Sequence, residues 1–351
     1  MRKGRTILFF ALAFVSGDFL GGALTLSPAI YLSVAALISV SILYVRDGIC
    51  RAAMFLLAAV LLGAAACQIG RMPPLSPESA VRSEAARSRA AFSAYLGTIL
   101  PEGDELAVAR ALAIGDKSSL TREIRAAYRD SGAMHLLALS GLHVGIIYGI
   151  LSLILSPLGG FSHLRRLRAA LILCFLWVFA LVSGLSPSIL RAVMMITVFE
   201  ISQFISGARS GPSALALSAI LSVLINPEAP RELSFQLSYS AVAGIYLIYP
   251  RLSLLLSTRS RLLRYAWNTA SLAISCQLTC GVLAYLYFGT FPRYFLVTNL
   301  LAVPLATLVM YVLSATLLSA VALPAVQTWL AGTLVAALRL LNYILAVIAE
   351  L

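Results

Sequence analysis

The chain has 351 residues, of which 60% are hydrophobic and only 11% are charged. A water-soluble domain of this length does not bury so many apolar side chains, so the composition excludes a soluble globular protein and indicates a chain that crosses a membrane several times. The formal net charge of +12 would suit a nucleic-acid-binding surface, but membrane proteins also concentrate Lys and Arg in their cytoplasmic loops.

Apolar runs of about twenty residues predict the elements in chain order. The first run follows Met1, Arg2 and Lys3 and lacks a small-residue cleavage site, so it predicts a retained span rather than a signal peptide. The predicted fold is an all-α transmembrane bundle of ten or eleven spans, of which the shorter ones are alternatively re-entrant. The predicted spans are 7–26, 29–45, 52–69, 134–157, 169–184, 189–206, 212–226, 233–250, 266–288, 294–320 and 326–349.

The basic residues predict the orientation of this bundle. Thirteen of the 26 Lys and Arg residues lie in the N-terminal segment and in alternate loops, whereas the opposite short loops hold only Arg231 and Arg293. Because Lys and Arg mark the cytoplasmic side, the N-terminus and the 158–168 loop are predicted to face the cytoplasm. The chain is then a multi-pass protein of the plasma (inner) membrane.

One hydrophilic segment, 70–133, is predicted to face outward. Its apolar and charged residues alternate at helical spacing over 83–100, which predicts a helix along the interface. A Gly–Asp turn at 115–116 predicts two further short helices, the second with Thr121 and Glu123 at its N-terminus. The sequence "GDKSS" lacks the glycine spacing of a phosphate-binding loop. The predicted domains are 1–69 (N-terminal spans), 70–133 (outward segment with amphipathic helices) and 134–351 (transmembrane core).

The run "HLLALSGLHVG" places His135, Ser140 and His143 in an otherwise apolar segment. Such polar groups either hydrogen-bond other helices or line a water-filled path, and three in eleven residues favour the path. Glycines recur every four residues in the same predicted helix and form a stripe that allows close approach of a neighbouring helix. The stripe consists of Gly141, Gly145 and Gly149. This packing predicts that Gly145→Leu damages function more than His143→Gln.

Two kinds of chemistry fit this run poorly. Ser140 and His143 would suit a serine hydrolase, but residues three apart on one helix rarely align for proton transfer, and no orienting carboxylate is identified. His135 and His143 with a carboxylate of the outward segment would suit a metal site, but histidines eight residues apart lie about 12 Å apart along a helix axis. The chain has only one further histidine, His163, which is too few ligands for a two-metal nuclease site. We therefore expect no catalytic residue, metal or cofactor.

Three further polar residues are candidates for the lining of a path. Arg191 follows "GLSPS", where Ser186 and Pro187 predict a helix start, and it either meets an anion or extends towards the membrane surface. Gln236 lies in "ELSFQLSYS", and Asn299 precedes the helix-breaking Pro304. Asp18 and Glu200 are interpreted as structural, and Arg339 in the last span is left without an explanation.

The blocks "ALAIGDKSSL", "YRDSGAMHLLALSGLHVG", "GLSPSILRAVMM", "NPEAPRELSFQLSYSAVAG" and "FGTFPRYFLVTNLLAVPLA" resemble the competence domain of the ComEC family, from about residue 82 to 320. This resemblance implies an inner-membrane channel for single-stranded DNA during natural transformation. Longer members also carry an OB-fold-like and a metallo-β-lactamase-like domain, neither of which is visible here. The expected partners are single-stranded DNA, the lipid bilayer, further copies of the chain, and separate DNA-receptor, nuclease and cytoplasmic motor proteins.

Other functions remain open on the sequence. A permease for another anionic solute or polymer would share these features, and a vestigial membrane scaffold would fit the missing domains. An intramembrane serine hydrolase is the most remote alternative.

Overall fold

The computed structural model describes residues 2–23, 27–41, 48–70, 78–160, 164–206, 210–256, 258–289, 294–322 and 324–350. These residues form α-helices and one short 3-10 turn, and none of them lies in a strand, so the all-α prediction is confirmed. The helices are α1 (Arg2–Ala23), α2 (Pro28–Ser41), α3 (Gly48–Gly70), α4 (Glu78–Ile99), α5 (Asp104–Ile114), α6 (Arg122–Asp130), α7 (Met134–Leu137), α8 (Gly141–Ile154), α9 (Ser156–Gly159), α10 (Arg165–Val182), α11 (Pro187–Ser206), α12 (Gly211–Ile225), α13 (Leu233–Leu247), α14 (Tyr249–Ser253), α15 (Arg261–Phe288), α16 (Phe295–Ala322) and α17 (Pro324–Ala349).

Within the part of the chain that the structure describes, three helices are long and apolar enough to cross a membrane by length and composition: Arg261–Tyr287, Phe295–Ala320 and Pro324–Ala349. Leu8–Ala23, Ala52–Gln68, Gly141–Ile154 and Gly211–Ile225 are apolar but shorter. The described part of each predicted apolar run is mostly helical, but a total of ten or eleven spans stays a prediction.

The described residues form two compact units that are each discontinuous in sequence. The first unit draws on Met1–Pro77 and Met194–Ala243, and the second on Glu78–Val193 and Gly244–Leu351. This division differs from the predicted domains 1–69, 70–133 and 134–351, because α4 to α6 share a unit with the C-terminal helices.

Close contact between α1 and α3 organises the first unit. A Cβ atom at Gly17 would overlap the Val60 carbonyl group, and one at Gly63 would overlap the carbonyl of Phe14. A Cβ at Gly21 would lie 2.6 Å from Ala64 Cα. Only glycine permits backbones to approach this closely, so these small residues set the distance between the two helices.

The core of the second unit surrounds α5. Residues Leu106–Ala109 and Ala111–Ile114 are all buried, and the same hydrophobic cluster includes Val309 of α16 and Leu338 of α17. A helix that is apolar on every side must be enclosed by protein or lipid. Here α5 packs as a core helix, whereas the sequence predicted an amphipathic helix in a separate outward segment.

The junction between α5 and α6 agrees with the predicted Gly–Asp turn. Gly115 ends α5 in the left-handed conformation, with φ 69°, which glycine adopts without a Cβ penalty. Thr121 caps α6, because its side chain accepts a hydrogen bond from the Ile124 amide. The two predicted short helices are therefore confirmed.

The predicted helix 134–157 is interrupted. Helix α7 ends at Leu137, and α8 begins only at Gly141, since Ala138 and Ser140 have extended backbone angles. Ser140 is the N-cap of α8 and forms a capping box with His143, an arrangement that satisfies the first amides of a helix. The expectation that one helix starts near His135 was therefore wrong.

Candidate functional site

Ser140 and His143 contact each other at the start of α8. The Ser140 hydroxyl lies 3.0 Å from His143 Nδ1, and the Ser140 amide donates to the same nitrogen at 3.3 Å. Because an amide can only donate, Nδ1 is the accepting nitrogen, and the neutral ring carries its proton on Nε2. The His143 side chain is buried. The capping box thus accounts for the contact that a serine-hydrolase dyad would also require.

His135 lies at the meeting point of α7 and the start of α16. Its Nδ1 donates to the Gly132 carbonyl at 3.1 Å, and the Asn299 side chain lies near the ring. Next to it, the Thr298 hydroxyl donates to the Ser131 carbonyl at 2.6 Å. Two polar residues that the sequence assigned to different blocks, His135 and Asn299, are therefore brought together.

Arg191 lies in the first turns of α11, which begins at Pro187 as the sequence predicted. The side chain is buried, with 4% of its surface exposed, so Arg191 does not extend to the surface, and that alternative was wrong. Position 192 lies against α8, since a Cβ at Gly141 would be 3.8 Å from Ala192 Cβ. The residue that follows Arg191 is thus in contact with the first residue of α8.

Gln236 belongs to the first unit, unlike the other five polar candidates. Its Nε2 donates to the Pro230 carbonyl at 2.9 Å. The neighbouring Tyr239 hydroxyl lies 3.0 Å from the Ser222 hydroxyl. These polar groups of "ELSFQLSYS" form hydrogen bonds within their own unit.

The glycine stripe does not form the predicted close helix contact. A Cβ at Gly145 or at Gly149 meets no described atom within 4 Å, and the one at Gly141 would make an ordinary van der Waals contact. The close approach occurs instead at Gly17 and Gly21, whose four-residue spacing in "GDFLG" is the signal that sequence reasoning missed.

Two ion pairs explain charges that the sequence left without partners. Asp18 is fully buried and accepts a hydrogen bond from Arg231 at 3.3 Å. Arg339 donates to Glu105 at 2.7 Å. The partners are 213 and 234 residues apart in the chain, so no local pattern could have identified them.

The described part of the chain holds no group of three His, Cys, Asp or Glu side chains that could bind a metal ion. His163 lies outside the described residues, as do Arg209 and Arg293 of the charged loops.

Comparison with known proteins identifies the family. A sequence model described as "Competence protein" matches residues 112–351. ComE operon protein 3 of Bacillus subtilis (strain 168) is 35% identical over 152 residues, which are 42% of this chain and 19% of that protein. The uncharacterised protein YcaI of Escherichia coli (strain K12) is 28% identical over 229 residues, which are 63% of this chain and 30% of that protein. No solved structure matches the chain significantly.

The chain aligns with less than a third of the length of either curated relative. The family match, by contrast, covers more than half of the chain, from Leu112 to its last residue. It includes the turn 115–118, the capped start of α8 and the His135–Asn299 contact. The chain belongs to the ComEC family of competence proteins.

Proposed function

We propose that the chain is the core of a channel that carries single-stranded DNA across the inner membrane during natural transformation. The observation that carries this proposal is the family match over 112–351, since competence is the capacity to take up DNA. The local geometry supports it: His135, Asn299, Ser140, His143 and buried Arg191 all belong to the second unit, which also contains the three long apolar helices.

Polar groups are costly within a membrane and usually face a cavity or one another. His135 is exposed at the surface of the described chain, although its Nδ1 is hydrogen-bonded to the Gly132 carbonyl. In the proposed channel, His135 and Asn299 form part of the polar lining. Arg191, in the first turns of α11, supplies a positive charge to the same unit, which favours a phosphate backbone in the proposed path.

The proposed arrangement places ten or eleven spans in the membrane, with a cytoplasmic N-terminus and α4 to α6 on the outer side. Separate proteins receive the DNA, degrade the non-transforming strand and drive transport, and this chain has no enzymatic role in the proposal.

A deletion strain tests the proposal directly. Cells that lack the chain are complemented with the wild-type gene or with Arg87→Gln, a control at an exposed position paired with Glu84 on α4. Labelled duplex DNA is added, and nuclease-protected label is measured in the cytoplasm. We expect both complemented strains to accumulate label and the deletion strain to accumulate none. Equal cytoplasmic label in the deletion strain would contradict the proposal.

A further inference from the structure

The turn between α5 and α6 has a well-defined geometry. Asp116 Oδ1 accepts hydrogen bonds from the Ser118 amide at 3.1 Å and from the Ser118 hydroxyl at 2.7 Å. Such a carboxylate turn fixes the local backbone. Asp116 Oδ2 also accepts from the Ser93 hydroxyl of α4 at 3.3 Å. The turn is therefore held in place from two sides.

Positively charged side chains converge on this turn. Arg89 of α4 donates to the Gly115 carbonyl at 2.7 Å, and Arg125 of α6 donates to the Lys117 carbonyl. We call residues 115–118 together with Arg89 and Arg125 the cationic turn. Among the described residues, no carboxylate oxygen lies within 4.0 Å of the charged nitrogens of Arg89, Lys117 or Arg125.

The cationic turn carries three positive charges and the negative charge of Asp116. Burial lowers the pKa of Lys117, and the positive charge of Arg125 lowers it further. Burial alone would raise the pKa of Asp116, but hydrogen bonds from Ser118, the charge of Arg89 and the Ser93 hydroxyl together lower it. Asp116 is therefore ionised at neutral pH, and the remaining repulsion between cations would be relieved by a bound anion.

A cavity of about 340 Å³ opens beside Arg89 and is lined by Ala86, Arg89, Ala90, Asp116 and Gly184. This volume lies at the lower end of the range for ligand sites. The cavity presents a guanidinium group, which donates hydrogen bonds, and a carboxylate, which accepts them. A nucleotide unit has matching groups, since its phosphate accepts and its base and sugar donate.

We propose that the cationic turn binds the phosphate groups of a nucleic-acid strand through Arg89, Lys117 and Arg125. The choice of a nucleic acid rests on the proposed function. Arg89 and Arg125 keep further guanidinium hydrogens for phosphate oxygens while they hold the turn, and Ser118 and Ser119 are exposed beside them. The turn thereby provides a phosphate site without the glycine-rich loop of nucleotide-binding enzymes.

Oligonucleotide binding at several salt concentrations tests this inference. The full chain in nanodiscs of neutral phosphatidylcholine is titrated into a fluorescein-labelled oligothymidylate, and the affinity is followed by fluorescence anisotropy. Each lost phosphate contact should lower the slope of log affinity against log salt concentration by about 0.7 for a single strand. We expect this loss for Lys117→Gln and for Arg125→Gln. Arg129→Gln is the matched control, because Arg129 lies one turn further along α6 and is paired with Asp130 at 2.8 Å.

A further variant changes the affinity in the opposite direction. Asp116→Asn removes the negative charge but keeps an oxygen that accepts from the Ser118 amide, so we expect tighter binding of the oligothymidylate. A merely destabilised turn would bind it more weakly.

Four results would overturn the inference: no binding by the wild-type chain, unchanged slopes in Lys117→Gln and Arg125→Gln, an equal loss in Arg129→Gln, or weaker binding by Asp116→Asn. If the variants lose affinity for phosphatidylglycerol vesicles but not for the oligothymidylate, the site is a lipid site and the inference is wrong.

DNA uptake is scored separately. If the slopes fall in the turn variants but the wild-type chain does not restore DNA uptake, only the proposed channel function is contradicted. Restored uptake with unchanged slopes contradicts only the cationic turn.

Discussion

Arg339 Nε lies 2.7 Å from Glu105 Oε1, and this ion pair joins the first turn of α5 to the middle of α17. One turn further along α17, Asn342 accepts a hydrogen bond from the Tyr128 hydroxyl of α6 at 3.0 Å. Apolar packing is not directional, so these two polar contacts fix where α5 and α6 lie along α17.

Breaking the ion pair should have a modest effect on stability. The Arg339 side chain is 68% exposed, so solvent screens the attraction, and we expect Arg339→Gln to lower the free energy of unfolding by no more than about 1 kcal/mol. Thermal unfolding of the purified chain, in a double-mutant cycle with Glu105→Gln, isolates the coupling between the two residues. Additive effects of the two substitutions on the free energy of unfolding would show that Arg339 and Glu105 do not interact.

The stabilisation by this pair should depend on pH. The hydrogen bond from Arg339 holds the pKa of Glu105 below its ordinary value of 4.5. A carboxyl group whose pKa is lowered by folding stabilises the folded state above its unfolded pKa, and that contribution disappears as the pH falls through the folded pKa. We therefore expect the difference in unfolding temperature between wild type and Arg339→Gln to be present at neutral pH and to vanish in acid. A difference that persisted at acid pH would require another cause.

Substitution by alanine should destabilise the protein at Gly17 but not at Gly145. At Gly17, alanine would place its Cβ against the Val60 carbonyl, and separation of two packed helices should cost roughly 1–3 kcal/mol. At Gly145 the space is open among the described residues, so alanine should be neutral or stabilise α8 by up to about 1 kcal/mol. We measure the membrane abundance and the unfolding temperature of Gly17→Ala and Gly145→Ala. A Gly145→Ala variant less stable than Gly17→Ala would contradict the close packing at Gly17.

His143 should tolerate only residues that accept a hydrogen bond. Leucine would leave the Ser140 amide without its His143 acceptor at a partly buried cap, at a cost of about 1 kcal/mol or more, whereas glutamine offers an oxygen at similar reach. We expect DNA uptake, measured at matched abundance, to survive His143→Gln and Gly145→Leu and to fall in His143→Leu. The glycine stripe predicted that Gly145→Leu would damage function more than His143→Gln. Because the space around Gly145 is open among the described residues, we no longer expect that order. Loss of uptake in His143→Gln alone would indicate proton or metal chemistry at this residue.

The proposed orientation is checked by labelling of single cysteines in intact cells. With the exposed Cys50 and Cys174 replaced, an impermeant reagent should label a cysteine at Ser119 and not one at Arg166. The opposite labelling pattern would invert the proposed topology.

Features that depend on neighbouring residues could be predicted, and those that depend on distant ones could not. The Thr121 cap, the helix start at Pro187 and the Gly115 turn follow from residues a few positions apart, and all three are present. The interruption before Gly141 was not predicted, because the apolar residues around it suit a continuous helix. The new helix α8 begins there with the cap formed by Ser140 and His143. The Asp18–Arg231 pair and the His135–Asn299 contact depend on packing between segments that are remote in the chain.

The burial of the apolar residues of α5 has a consequence for how the chain is made. Glu105 and Arg339 are 234 residues apart, and at about 5–20 residues per second the ribosome needs roughly 10 to 50 s to synthesise the intervening chain. Throughout that time the apolar surface of α5 lacks the helices that later enclose it. The nascent chain therefore depends on the bilayer, or on an insertion factor, to shield α5 from aggregation, and ribosome stalling before α17 should yield a product that is degraded rather than stored.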